Sequence, residues 1–222
     1  MAEGRFDARK SERPIDIDGC SREPVWAAQD WYGLNYVWMG AVPSPTDYQG
    51  RFKVAWTRDS VALLVEVIDD VLHPTLADGL DDYWKGDYVE VFLDEDRSGG
   101  DHQYGHQAFA YHVSTEGHAI DKSTAQETMF FDDHVEVART KEGKRHLWEM
   151  KIRVFGADFR EGEDNSPVLL APGKVLGFSL AYGDNDGKQS RENFMGSRKT
   201  HGKNNDEGYV DADVFGSLRL LE

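Results

Sequence analysis

The chain has 222 residues, with 41 acidic against 25 basic side chains and a formal net charge of −16. A field of that sign repels phosphate backbones and anionic lipid headgroups, which argues against nucleic acid and membrane surfaces as partners and suits neutral ligands and divalent cations. Hydrophobic residues at 39% and charged residues at 30% exclude a disordered chain, and no apolar run approaches the roughly 18 residues of a membrane span.

Residues 1–10 are polar and charged and hold no leader core, which leaves a cytoplasmic protein or one whose export signal has been removed. Cys20 is the only cysteine, so an intrachain disulfide and a thiolate zinc site are both ruled out. Apolar runs separated by Gly and Asp clusters predict strands over residues 15–18, 51–57, 61–69, 88–94, 107–114, 135–140, 147–154, 175–182 and 215–221. In the seventh of these Trp148, Met150, Ile152 and Val154 share one face, while Glu149, Lys151 and Arg153 share the other. Residues 61–67 are apolar on both faces, as a central strand requires. Only residues 155–161 read as a helical turn, and strands do not alternate with helices. The expected fold is therefore all-β: one domain, an antiparallel two-sheet β-sandwich of jelly-roll or immunoglobulin-like type.

Two strands carry small residues along one face. Ala108, Ala110 and His112 alternate with Phe109, Tyr111 and Val113; Gly177, Ser179, Ala181 and Gly183 alternate with Leu176, Phe178, Leu180 and Tyr182. Such a face is a trough. It can receive a sugar ring, or a long segment of the chain itself can lie in it.

Three motifs stand in order along the chain: Ile17-Asp18-Gly19 with Glu23-Pro24-Val25-Trp26, then Asp82-Tyr83-Trp84-Lys85-Gly86-Asp87-Tyr88-Val89-Glu90-Val91-Phe92-Leu93-Asp94, then residues 209–220 with Phe215-Gly216-Ser217-Leu218. Together they resemble the family 9 carbohydrate-binding modules and their DOMON-like relatives. That resemblance implies a saccharide ligand and a role without catalysis, alone or within a larger polysaccharide-degrading system, in an extracellular or periplasmic setting. It puts Trp84 and Tyr209 in the place of two aromatic residues that sandwich the terminal sugar. A pyranose shows apolar C–H faces that an aromatic plane can bury, gaining on the order of 1–3 kcal/mol. Glu90 matches the family's sugar-contacting glutamate, where an ionised carboxylate accepts from two hydroxyls. Asp206 falls near a family asparagine. The family's arginine and asparagine on the strand over residues 109–113 stand here as Ala110 and His112, and its glutamine on the strand over 175–182 as Ala181. The ligand preference is therefore not carried over. His112 shares the parity of the trough and is a candidate donor to a hydroxyl.

The run Asp94-Glu95-Asp96-Arg97-Ser98-Gly99-Gly100-Asp101 alternates oxygen ligands like the first half of a calcium loop, but Gly105 stands where an EF-hand has glutamate. Asp184-Asn185-Asp186-Gly187 is a similar turn, and Asp69-Asp70 ends a strand. Asp94, Asp96, Asp101, Asp184 and Asp186 are candidate calcium ligands, since family members bind structural calcium; the same residues also make ordinary Asx turns. His102, His106, His112 and His118 cluster without the spacing of one strand face. No nucleophile elbow, phosphate loop or dinucleotide fingerprint is present. Two further readings stay open: a haem b domain with Met195 and His112 as axial ligands, and a sugar-modifying enzyme on the same scaffold.

Overall fold

The computed structural model describes residues 4–77, 79–200 and 206–222. Fourteen strands occur among them: β1 (Arg5–Lys10), β2 (Tyr32–Gly33), β3 (Tyr36–Met39), β4 (Tyr48–Trp56), β5 (Ser60–Asp69), β6 (Tyr88–Asp94), β7 (Phe109–Ser114), β8 (Ala119–Lys122), β9 (Thr128–Phe130), β10 (Val135–Glu142), β11 (Arg145–Arg153), β12 (Val175–Asp184), β13 (Asn193–Gly196) and β14 (Gly216–Leu221). Among the described residues helical structure is confined to α1 (Pro24–Ala27) and two short 3-10 turns, at Leu80–Asp82 and Ala212–Val214.

The all-β expectation holds, but the antiparallel two-sheet sandwich needs correction. One continuous mixed sheet runs β10-β11-β5-β4-β1-β14-β12-β6-β7-β8-β9. The bridge is β1, which pairs in parallel with both β14 and β4, so Arg5 lies against Ser217 and Lys10 against Trp56. Its sequence, RFDARK, has only Phe6 and Ala8 facing inward, too little apolar periodicity to read as a strand. The sheet curls until its halves face each other. Phe52 on β4 meets Phe178 on β12 at 6.1 Å between ring centres, and Tyr48 stacks on Tyr182 at 5.5 Å. Val65, Trp148, Val91 and Tyr111 fill the same inner core.

One local expectation fails. Residues 15–18 form no strand, whereas residues 155–161 make a single turn in which the Phe159 amide donates to the Gly156 carbonyl at 3.0 Å. The segment around Ile15 and Trp26 lies instead on the outer face of β4, β5 and β11, packed with Ala55, Ala62, Leu64 and Leu147. Glu149, on what the sequence shows as the polar face of β11, is fully buried beneath it. Its Oε1 accepts from the Trp26 indole at 2.8 Å, and its Oε2 from the Asp18 and Gly19 amides at 3.1 Å each. The motif Ile17-Asp18-Gly19 … Trp26 is thus a docking device for the amino-terminal segment, held by one carboxylate with three donors.

The outer face of the other half carries the trough. Over β12 it is filled: Trp38 from β3 and Phe194 from β13 lie at 5.3 Å from each other, against Phe92, Tyr88, Ala110 and Ala181. Here the small residues make room for the chain's own aromatic rings. Over β7 and its neighbours the face stays open.

Candidate functional site

The open part of that face is a cleft of about 440 Å³. Glu90 on β6 and His112 on β7 are directly opposed in the antiparallel ladder and form its floor with Ala108. Period-two alternation puts Val89, Val91, Phe109, Tyr111 and Val113 into the core and leaves these two polar side chains on the other face. Tyr83 and Trp84 come from the loop after the Leu80–Asp82 turn, and Asp121 and Lys122 from β8. Arg191 comes from the β12–β13 connection, and Asp206 and Tyr209 from the segment before β14.

All five residues that the sequence nominates for a sugar, Trp84, Tyr209, Glu90, His112 and Asp206, line this one cleft. Trp84 is 38% exposed and Tyr209 51%, so both rings offer surface to a ligand. Lys85 stands 5.5 Å from the Trp84 ring centre and pairs with Asp82 at 2.8 Å. Glu90 is 1% exposed, and its Oε2 has no hydrogen-bond partner among the described residues. Burial, with Asp206 and Asp121 nearby, pushes its carboxyl well above the ordinary carboxylate range, against the opposing pull of Arg191. That shift favours the protonated form of Glu90 over the ionised one. His112 is pushed down to about 3 by burial and by Arg191, so its ring is neutral. Burial likewise raises Asp121 to about 7, although the Ala110 amide donates to it at 2.9 Å.

Arg191 is the main residue that the sequence did not reveal. Its side chain is 7% exposed, donates to the Tyr88 hydroxyl and to Asp206, and covers the Phe194 ring at 4.3 Å. Asp206 is thereby a tether for its own segment as well as a lining group. Arg191 stands in a polar run, 184–192, with no periodicity to distinguish it.

The histidines separate into roles. His102 donates from Nε2 to the Gly208 carbonyl at 2.9 Å, and His106 Nε2 meets Glu161 at 2.5 Å. Both are buried braces of the β6–β7 connection. His118 pairs with Asp132 at 2.8 Å away from the cleft lining. Among the described residues no three of their ligand atoms converge as a metal requires. Met195 belongs to the inner core while His112 faces the cleft, so the pair considered for haem does not share a pocket.

The acidic turns also separate. Asp94 accepts from the Arg97 and Gly99 amides at 2.9 Å each, Asp96 from Ser98 at 2.9 Å and Asp101 from Gln103 at 2.9 Å. These are Asx-type turns, and among the described residues none of the three joins a convergent carboxylate set. Asp184 does join one. It meets Asp69 and Asp87 where the ends of β12 and β5 approach the entry to β6, all three buried and with oxygens within 4.8 Å of one another. Asp184 also joins a set with Asp47 and Glu192, and Asp186 forms a third, more exposed one with Asp47 and Asp70. Burial raises all three of the first set: Asp69 to about 6, helped by Asp186 and Asp70, Asp184 to about 7, helped by Asp69, and Asp87 to about 9, helped by Asp69 and Asp184. No lysine or arginine pairs with these three among the described residues.

Several solved structures resemble the chain. A family 9 carbohydrate-binding module from Caldicellulosiruptor kristjanssonii in complex with cellotriose superposes with a TM-score of 0.69 at 18% identity, covering 98% of this chain and 93% of that one. The structure from the same organism in complex with glucose also gives a TM-score of 0.69 at 18% identity, with 97% and 95% covered. No curated protein matches the sequence. At that identity the structures establish the shared fold. The sequence profile described as carbohydrate family 9 binding domain-like matches residues 17–222, nearly the whole length, and the chain therefore belongs to that family.

Proposed function

We propose that this protein binds a saccharide in the cleft over β6 and β7 and does not transform it. The observation that carries the reading is Glu90: a buried carboxyl whose Oε2 accepts no hydrogen bond among the described residues and lies 3.3 Å from His112 Nε2, at the floor of a cleft whose lining includes the half-exposed rings of Trp84 and Tyr209. A buried oxygen that accepts nothing keeps acceptor capacity for a ligand, and a sugar hydroxyl both donates and accepts. Trp84 and Tyr209 cover the apolar faces of a terminal ring, which makes an oligosaccharide chain end the natural ligand. The relatives' complexes with cellotriose and glucose support gluco-configured sugars as the first to try. The family supports a setting outside the cell, beside enzymes of polysaccharide breakdown. Calorimetric titration with cellotriose and glucose tests the reading; absence of heat with both, and with a wider glycan panel, would refute it.

Calcium is the second part of the proposal, and its place is the set Asp69, Asp87 and Asp184. Three oxygen ligands suit a hard cation. Their crowding without a compensating positive side chain is the arrangement that a bound dication relieves. The set lies at the entry to β6, the strand that carries Glu90, so an ion there would stiffen the frame of the cleft.

A further inference from the structure

The β8–β9 hairpin turns through Thr124, Ala125 and Gln126. The Gln126 amide donates to the Ser123 carbonyl at 2.8 Å, and Ser123 and Glu127 close the ladder at 2.8 Å. In a three-residue hairpin of this kind the last loop position is left-handed, and glycine is its ordinary occupant. Here Gln126 holds it at φ 65°, one of two non-glycine residues in that region among those described. A side chain kept at a strained position at the edge of a cleft points to a use for that side chain.

Gln126 lines the cleft, and so does Gln103 from the β6–β7 connection. Gln126 Nε2 donates to the Gln103 carbonyl, and Gln103 Nε2 donates to Gln126 Oε1 at 3.3 Å. A backbone carbonyl only accepts, so the nitrogen of the Gln126 amide must face it. That choice orients the second amide too. The hairpin tip is braced from behind, since Glu161 accepts from the Thr124 amide at 2.6 Å and meets His106 at 2.5 Å. The two carboxamides therefore form a rigid pair with spare N–H donors and the Gln103 Oε1 acceptor. Glu90, Asp121 and Asp206 contribute acids to the same cleft, whereas the amide pair is neutral and offers donor and acceptor side by side.

Resting on the saccharide reading above, we propose that Gln126, through its pair with Gln103, is a specificity-determining residue that reads the configuration of a sugar hydroxyl. A hydroxyl of one orientation can accept from one amide and donate to the other; its epimer can satisfy only part of the pair.

The test uses the full chain with Gln126→Gly, which restores the turn's ordinary residue, and Gln126→Asn, which tolerates the left-handed backbone but shortens the amide. Cellotriose and β-1,4-mannotriose, epimeric at one hydroxyl per ring, serve as probes in calorimetric titration. The expected result is about a tenfold loss of affinity for the preferred trisaccharide in both variants, with discrimination narrowed. The thermal midpoint of Gln126→Gly should stay level or rise. An unchanged affinity ratio would overturn the proposal, and so would a clear fall in the midpoint of Gln126→Gly, because the amide would then be kept for the fold. If the unsubstituted protein binds no saccharide, the reading beneath fails first and this one falls with it.

Discussion

Glu90 Oε2 stands 3.3 Å from His112 Nε2 across the β6–β7 ladder, while His112 Nδ1 lies 3.2 Å from the Ala110 carbonyl. The carbonyl can only accept, so Nδ1 carries the ring hydrogen and the neutral ring presents a lone pair at Nε2. Two lone pairs at that distance repel unless the carboxyl brings a proton. The direction of both pKa shifts agrees, with Glu90 raised and His112 lowered.

This makes Glu90→Gln the informative substitution. A carboxyl whose folded pKa lies above its unfolded value of about 4.3 adds stability in full below that pH, and loses it as pH rises through the folded value. The wild type should lose stability with rising pH at this site and the glutamine variant should not. Thermal midpoints at pH 5 and pH 9 check it, with the difference expected to move in favour of Glu90→Gln at the higher pH. Saccharide affinity should stay within about tenfold of wild type, because the amide also offers a donor and an acceptor. A gap that does not change with pH would mean that Glu90 is ionised in the fold.

Trp84→Ala and Tyr209→Ala should each weaken cellotriose binding by tenfold to a hundredfold, the equivalent of about 1–3 kcal/mol of lost ring coverage. Both rings are partly in solvent, so the thermal midpoint should move by no more than about 2 °C. Titration calorimetry beside a melting curve separates the two effects. A large fall in the midpoint would show that the ring is structural.

The Asp69, Asp87 and Asp184 set predicts a pH dependence of its own. All three pKa values are raised, to about 6, 9 and 7, so their stabilising contribution is complete below about pH 4. It drains away as pH climbs through that range. In chelator the melting midpoint should fall from pH 5 to pH 9. Calcium at a hundred times its dissociation constant should restore about 2.7 kcal/mol, chiefly at the alkaline end. Asp184→Asn, which removes one charge from the set, should stabilise the calcium-free protein and abolish the response. Curves that coincide with and without calcium at pH 9 would leave this set without an ion.

Glu149→Ala should destabilise the fold by on the order of 3 kcal/mol, since the Trp26 indole and the Asp18 and Gly19 amides lose their acceptor in a dry site. Urea unfolding measures it. Saccharide affinity, read on the fraction still folded, should not change, because Glu149 lies in the other half of the sheet from the cleft.

Much of the cleft was legible from alternation. The motif around Trp84 and Glu90 places an exposed ring before a strand and a polar residue within it, and the parity of His112 aims it to the same side. The trough on β12 misled for a definite reason: small residues announce that something large lies above them without saying whether it is a ligand or, as here, Trp38 and Phe194. Glu149 misled in the same way, because a polar face on one strand cannot show that a distant segment covers it.

Local chemistry in the chain determined the β class, the main strands, the identity of the family and the five candidate contacts, since strand period and side-chain type act over a few residues. Three things were decided only by the folded whole. These are the parallel insertion of β1 that joins two would-be sheets into one, the ion pair of Arg191 with Asp206, and the upward pKa shift of the buried Glu90. Each depends on what burial and long-range approach do to charge and backbone pairing, and neither quantity exists until distant residues meet.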